Sequence, residues 1–331
     1  MINVGMWIKA LRIIPRITKK EWNKLDFISK WLISTRSAVL VMTFISCAIG
    51  GIFAYQSRKF DLSLWLICTI GLIMAHATNN MLNDLVDYIK GVDKGNYFRS
   101  QYGPQPLQDK LMSIPQLLLY IFITGLIAFM CGAYLIYLRG SIALILFLMG
   151  SFFLLVYTFP LKYIGCGELA VLIVWGPLMT GGTYFVITGD WSWSVCLASL
   201  PYAIGVTTVL FGKHIDKYLS DKEKKIHTLP VLIGEKSARY AVIFMTVFQY
   251  LLVIYLVVIN YFSPLLLLVF LSISAFYEIY KIYLRPKPAN KPKNYRKDIW
   301  PLWFVAYAFE HNRKFGILFI AGLILQGFFN K

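Results

Sequence analysis

The sequence is poor in charge, and poorest in acid. Of 331 residues, 15% are Asp, Glu, Lys or Arg, against about 25% in a soluble domain. Sixteen acidic residues face thirty-three basic ones, a formal net charge of +17. The hydrophobic share is 58%, which excludes a disordered chain, a fibrous protein and an ordinary water-soluble enzyme. Cysteine is also sparse. Cys47, Cys68, Cys131, Cys166 and Cys196 are scattered, and without a C-x-x-C pair they form no disulfide framework. A cleavable signal peptide is not expected, because about 36 mostly polar or amphipathic residues precede the first apolar run.

What the sequence has is long apolar runs. A membrane-spanning helix needs about 20 mostly apolar residues, and nine candidates occur, at about 37–55, 62–82, 115–138, 141–158, 168–188, 194–212, 238–259, 263–284 and 314–329. The tight connectors Leu138–Ser141, Gly189–Trp193 and Asn260–Ser263 imply antiparallel hairpins. A soluble helical protein would show one polar face per helix instead. Threading the spans alternately puts twenty-nine of the thirty-three Lys and Arg on one side, leaving only Arg58, Lys59, Arg139 and Lys331 on the other. That split predicts a cell-membrane protein with a cytoplasmic N-terminus and an external C-terminus. It also accounts for the excess charge through anionic headgroups, so membrane lipids rather than nucleic acid are the expected partner of the basic residues.

Two segments read as interfacial. Residues 1–36 mix Trp7, Trp22 and Trp31 with Lys and Arg, as a surface-lying amphipathic stretch does. Trp300–Phe309 is aromatic and follows the irregular Pro286–Lys297 stretch. The expected fold is therefore all-α: a polytopic bundle spanning 37–329 as one domain, with a central cavity open to the cytoplasmic side. Its cytoplasmic loops are about 83–113, 213–237 and 285–313.

The second run does not end like a simple anchor. His76, Asn80, Asn83, Asp84 and Asp87 fall within one arc of about 100° on a helix, whereas Leu82, Leu85 and Val86 lie outside it. An Asp at mid-membrane costs about 2.5–3.5 kcal/mol, and two like charges at i,i+3 repel. The most effective partner for clustered carboxylates is a divalent cation, and oxygen-only ligands favour Mg²⁺ or Ca²⁺. The acidic run continues to Asp93 beyond Gly91. A capped helix end facing water is the plainer alternative.

A second charged cluster ends the sixth run: Lys213, His214, Asp216, Lys217 and Asp221, then Thr228-Leu229-Pro230. His214, Lys217 and Asp221 share a face, and Asp216 points about 140° from Asp221 on an unbroken helix. Taken alone this is a solvated loop. Two acidic clusters on one membrane side, each closing an even-numbered span, suggest an internal duplication instead. Facing each other, they would line a cavity suited to a metal-bound diphosphate. Lys162, in the loop after the fourth span, would sit beside it.

These motifs resemble the UbiA superfamily of intramembrane aromatic prenyltransferases over about residues 37–284. The family's first motif, N-D-x-x-D with a further Asp, is matched by Asn83-Asp84-Leu-Val-Asp87 and Asp93, and its K-G-x-D form by Lys90-Gly91-Val-Asp93. That form is similar to the naphthoate (menaquinone-pathway) branch. Thr228-Leu229-Pro230, Gly234-Glu235 and the Tyr157–Lys162 stretch match further family positions. The second motif departs. Asp221 fills its last acidic position, but Lys217 stands where another Asp is expected, Asp216 is one place off, and His214 replaces an Asn.

The resemblance implies Mg²⁺-dependent transfer of a polyprenyl group from a polyprenyl diphosphate to an aromatic or quinone-precursor acceptor. It implies Asp84 and Asp87 as Mg²⁺ ligands, supported by Asn80, Asn83 and Asp93, with Asp221 and Asp216 for a second ion. Lys162, Lys217 and Arg99 would neutralise the diphosphate. His214, His76 or Tyr157 would serve the acceptor or its proton, although helix packing is the ordinary role for His76. Asp84, Asp87, Lys162 and Asp221 form the expected catalytic set. An ion or solute transporter using the same carboxylates, or an altered member of the family with a non-quinone acceptor, stands as the alternative.

Overall fold

The computed structural model describes residues 2–92, 98, 103–297 and 299–329. Among them there is helix and no strand. Three short helices open the chain: α1 (Val4–Arg12), α2 (Lys19–Asn23) and α3 (Phe27–Ser34). Each begins at a capping side chain. Asn3 accepts from the Met6 N–H, Asp26 from the Ser29 N–H, and Thr18 forms a reciprocal box with Glu21. Ala10, Trp22, Leu32 and Ile33 pack on Leu111 and Met112. Ile2, Ile8, Leu11 and Phe27 stay exposed on the other face. The segment therefore has one face on the bundle and an apolar face left for lipid.

The bundle follows. Its helices are α4 (Ser37–Gln56), α5 (Leu62–Ile89), α6 (Ile114–Arg139), α7 (Ser141–Val156), α8 (Gly167–Thr188) and α9 (Trp193–Asp216). The short α10 (Tyr218–Glu223) and α11 (Leu229–Ile233) lead into α12 (Glu235–Val258), α13 (Pro264–Tyr283) and α14 (Phe304–Phe329). Seven of these are long and apolar enough to cross a membrane. The other two expected spans fall on α7, which has only 16 residues, and on the apolar half of α14.

The helix α14 starts ten residues before the run expected from hydropathy. Trp300–Phe309 is consequently no surface strip. Phe304 is fully buried against Phe211, Ile215 and Tyr283. The helix is anchored there because Asp216, at the end of α9, accepts the N–H groups of Trp303, Phe304 and Val305 at 2.9, 3.1 and 3.1 Å. A carboxylate at a helix N-terminus satisfies orphan donors and complements the dipole. Lys287 lies 3.5 Å from the same carboxylate.

The core centres on α9, the most buried of the long helices, packed by α4, α8, α12 and α14. Ile49, Tyr202, Leu256, Leu266, Phe315 and Phe319 are among its members. Gly212 allows the α9–α14 approach: a Cβ there would meet Tyr283 Oη at 2.6 Å and the Val305 backbone at 2.9 Å. By contrast α6 is the least buried span, so it stands at the periphery. Midway along α8, Val174–Gly181 winds as a π-helix around Pro177, which has no N–H to donate to a regular helix.

The length of α5 matters most for function. Its 28 residues span about 42 Å at 1.5 Å per residue, more than the roughly 30 Å of bilayer hydrocarbon. Its last two turns, which carry Asn83, Asp84 and Asp87, therefore reach past the apolar layer while staying inside protein.

Replacing Asp216 by Ala is expected to orphan three backbone N–H groups and cost about 2 kcal/mol. Thermal unfolding in detergent should show a midpoint lowered by several degrees. An unchanged midpoint would contradict the anchoring role.

Candidate functional site

Arg36 begins the site. It joins α3 to α4 in the left-handed region, φ 54°, a conformation uncommon outside glycine. The turn sends its guanidinium to α5. There it donates to the Asn80 carbonyl at 2.6 Å and lies 3.4 Å from Asp84 Oδ1. Asn80 returns a bond, its Nδ2 donating to the Thr35 carbonyl at 2.9 Å. From the other flank, the fully buried Gln105 donates to the Asp84 carbonyl at 2.9 Å. Asn83 is buried beside them, and its Oδ1 has no hydrogen-bond partner.

One turn on, Lys162 Nζ donates to both oxygens of Asp87, at 2.8 and 2.9 Å. The lysine is 3% exposed and the carboxylate 13%. Lys162 sits on the short turn Leu161–Ile164 between α7 and α8. That turn is also held by Lys90, whose Nζ lies 3.4 Å from the centroid of the Phe159 ring.

The end of α9 meets the same place. Its helix stops at Asp216, and the bend at Lys217 starts α10. Lys217 Nζ then lies 3.0 Å from Asp221 Oδ1 and 2.9 Å from Oδ2. Both residues are buried. Burial draws Lys217 below the ordinary lysine value, with Asp221 opposing. For Lys162 burial also works downward, but Asp87, aided by Asp221, outweighs it and the shift is upward. The two ion pairs thus form one electrostatic unit across the α5 and α9 ends. Behind it, His214 Nδ1 and Glu168 Oε1 are 2.5 Å apart, both buried.

A cavity of about 940 Å³ opens beside this unit. Phe122, Leu126, Phe129, Phe147 and Leu154 from α6 and α7 give it apolar walls, facing His76, Asn79, Asn80 and Asn83 on α5. At the polar end stand Arg12, Arg36, Tyr157, Lys213 and Arg313. Tyr157 links cavity to cluster. Burial, then Glu168, pushes its phenol upward, and it also feels Asp87 and Asp221. The paired carboxylates themselves stand behind the cavity wall.

Of the residues singled out in sequence, the structure joins Asp87, Lys162, Lys217 and Asp221 in one cluster. Asn80, Asn83 and Tyr157 line the adjoining cavity. Asp84 is reached by Arg36. Asp216 goes elsewhere: the metal role expected for it is replaced by capping of α14, because its side chain leaves α9 on another face. His76 is bonded to Thr43 at 2.8 Å and packs edge-on against Trp175. Asp93 and Arg99 lie outside the described residues. Sequence reasoning missed Arg36, Gln105 and Glu168. Arg36 reads as one more basic residue at a span boundary, and Gln105 carries no local signal. Glu168 was detectable as an isolated acid at the start of an apolar run.

Comparison with known proteins fits this geometry. The pattern of the UbiA prenyltransferase family matches residues 43–305. The chain belongs to that family. It is 27% identical over 228 residues to the UbiA prenyltransferase domain-containing protein 1 of Rattus norvegicus, covering 66% of this chain and 64% of that protein. The match thus spans a little under two thirds of that relative's length. It is 26% identical over 305 residues to the 1,4-dihydroxy-2-naphthoate octaprenyltransferase of Bacillus subtilis, covering 89% and 92%. A UbiA homolog from Archaeoglobus fulgidus bound to GPP and Mg²⁺ superposes with a TM-score of 0.60 at 16% identity, covering 89% of this chain and 99% of that one. That likeness shows the shared fold.

A UbiA fold raises the question of Mg²⁺. Among the described residues no three His, Cys, Asp or Glu side chains form a ready cage. Mg²⁺ does not require one, since it keeps waters and binds through one or two carboxylates plus substrate phosphates. The end of α5 fits that pattern: its donors are all oxygen, and the Asn83 Oδ1 lacks a partner. At both ends an ammonium stands beside the carboxylate: Lys162 donates to both oxygens of Asp87, and Lys217 donates to Asp221 Oδ1.

Replacing Lys162 by Met should leave a buried Asp87 uncompensated and cost about 3–5 kcal/mol. Adding Asp87→Asn should recover more than half of that loss. Denaturant unfolding of the two single variants and the double variant in detergent measures the coupling. Additive losses would rule it out.

Proposed function

We propose that this UbiA-family protein transfers a polyprenyl group from a polyprenyl diphosphate to an aromatic or quinone-precursor acceptor within the membrane, with Mg²⁺. One observation carries the reading: a cavity of about 940 Å³ with apolar walls also has Arg36, Asn80 and Asn83 in its lining, on the same stretch of α5 as the buried carboxylates. An amphipathic donor has this polarity, apolar along its chain and anionic at one end.

In this reading the tail lies among Phe122, Leu126, Phe129 and Phe147, and the diphosphate meets the end of α5. Asp84 and Asp87, with Asn83, would hold the ion. A bound Mg²⁺ supplies charge neutralisation for the leaving diphosphate. Arg36 and Lys162 add fixed positive charge where negative charge develops as the allylic C–O bond breaks. The electron-rich acceptor ring attacks the resulting allylic cation, and the ring then loses a proton. Aromatic walls stabilise the cation by cation–π contact. In this reading Tyr157, which lines the cavity, would take the proton toward the buried His214–Glu168 pair. The naphthoate acceptor named for the Bacillus subtilis relative supports an aromatic acceptor here. The basic residues clustered on one side support a cytoplasmic N-terminus and an external C-terminus in the cell membrane.

Purified protein with Mg²⁺, labelled geranylgeranyl or longer diphosphates and a panel of quinone precursors should yield a prenylated product of defined mass. Asp84→Asn and Asp87→Asn should each lower turnover by at least a hundredfold while inserting normally. Full activity in both would sink the assignment. The tail site has its own test. A Cβ at Gly150 meets nothing within 4 Å, and the residue lines the cavity. Gly150→Phe should therefore depress turnover of long-chain donors severalfold more than of geranyl diphosphate.

A further inference from the structure

We propose that the tail cavity measures the donor: it holds an extended chain of about four isoprene units, and a closed outer floor that includes Ala143 and Leu135 discriminates against longer ones. The inference rests on the donor reading above and adds the length of the chain.

The lining runs lengthwise along its helices. On α5 it extends from Asn83 to Cys68, and on α7 from Tyr157 to Ala143. At 1.5 Å per residue both stretches measure about 21–23 Å. An extended isoprenoid advances about 5 Å per unit, because each unit adds four carbon–carbon bonds of about 1.5 Å in a zigzag. A tail that starts level with Asn83 therefore reaches the far end with about four units. Along the way Gly125, Gly150 and Gly182 line the cavity without a side chain. Gly150 lies midway, about 10 Å from Tyr157 along α7, which is why filling it spares the two-unit geranyl tail.

At the outer end the groove closes. Cys68, Leu135, Ala143 and Val186 line it there and belong to one buried cluster with Phe185. The floor is fastened as well. Arg139, the last residue of α6, donates to the Val186 and Ile187 carbonyls at 2.6 and 2.7 Å. These charge-assisted bonds tie the outer end of α6 to the end of α8. At the same end α6 and α7 are joined through Gly140 alone. A longer tail has to bend back on itself or push between α6 and α7 close to that joint. Either course strains packed walls instead of adding contacts.

A donor series tests this. The full chain in detergent is given Mg²⁺, the acceptor panel above, and diphosphates of two to eight isoprene units. Wild-type kcat/KM is expected to rise up to the geranylgeranyl donor and to fall about tenfold by the octaprenyl donor. Filling the floor with Ala143→Phe should move the optimum to farnesyl and cut kcat/KM for geranylgeranyl about tenfold. Leu135→Ala, which hollows the floor, should move the optimum to five units. Comparing variants within one donor set cancels differences in how the donors enter micelles. Should Ala143→Phe fail to fold, Leu135→Ala and the wild-type series still decide. An optimum that stays in place in the variants, or octaprenyl and geranylgeranyl donors used equally by the wild type, would overturn the proposal and leave the donor reading standing. Transfer from none of the donors would overturn both.

Discussion

A single buried ammonium ties two ends of the bundle together. Lys162 reaches from a four-residue turn to both oxygens of Asp87 and is stabilised in turn by Asp221. Without it, the α5 and α9 ends would present buried like charges to each other, at a cost of several kcal/mol. With it, charges alternate from Asp87 to Lys162 to Asp221 to Lys217, and the cluster is neutral enough to sit inside protein. The turn that carries Lys162 belongs to that unit, and the cavity adjoins it through Tyr157.

The geometry is possible because α5 is longer than the membrane is thick. Its polar last turns emerge from hydrocarbon but not from the protein: Arg36 and Gln105 close over them from either side. Carboxylates there escape the penalty of mid-membrane charge while remaining in surroundings of low dielectric. In such surroundings a phosphate, a metal ion and an ammonium interact more strongly than in water. The apolar cavity along α6 and α7 needs no such support, since its walls are continuous with the lipid.

The same logic separates residues that look alike in sequence. Asp216 and Asp221 are five apart and both acidic, yet one anchors a helix and the other joins the cluster. The bend at Lys217 decides this by turning α10 away from the axis of α9. Lys217 and Lys162 are both buried lysines. One is paired within its own turn, the other bridges two distant segments.

Much was legible from the chain alone. Long apolar runs dictated an all-helical membrane bundle, because backbone polar groups in lipid must be satisfied within the segment. The helical arc from His76 to Asp87 was readable from spacing, and so was the pairing of two acidic span ends. Hydropathy misjudged the start of α14, since the buried Phe304 precedes charged residues that lower the local average. What tertiary structure decided was which charge meets which. Arg36 with Asp84, Lys162 with Asp87 and Glu168 with His214 lie 46 to 75 residues apart in sequence or come from separate helices. Periodicity fixes the face of one helix, but the partner across a gap depends on how the helices pack.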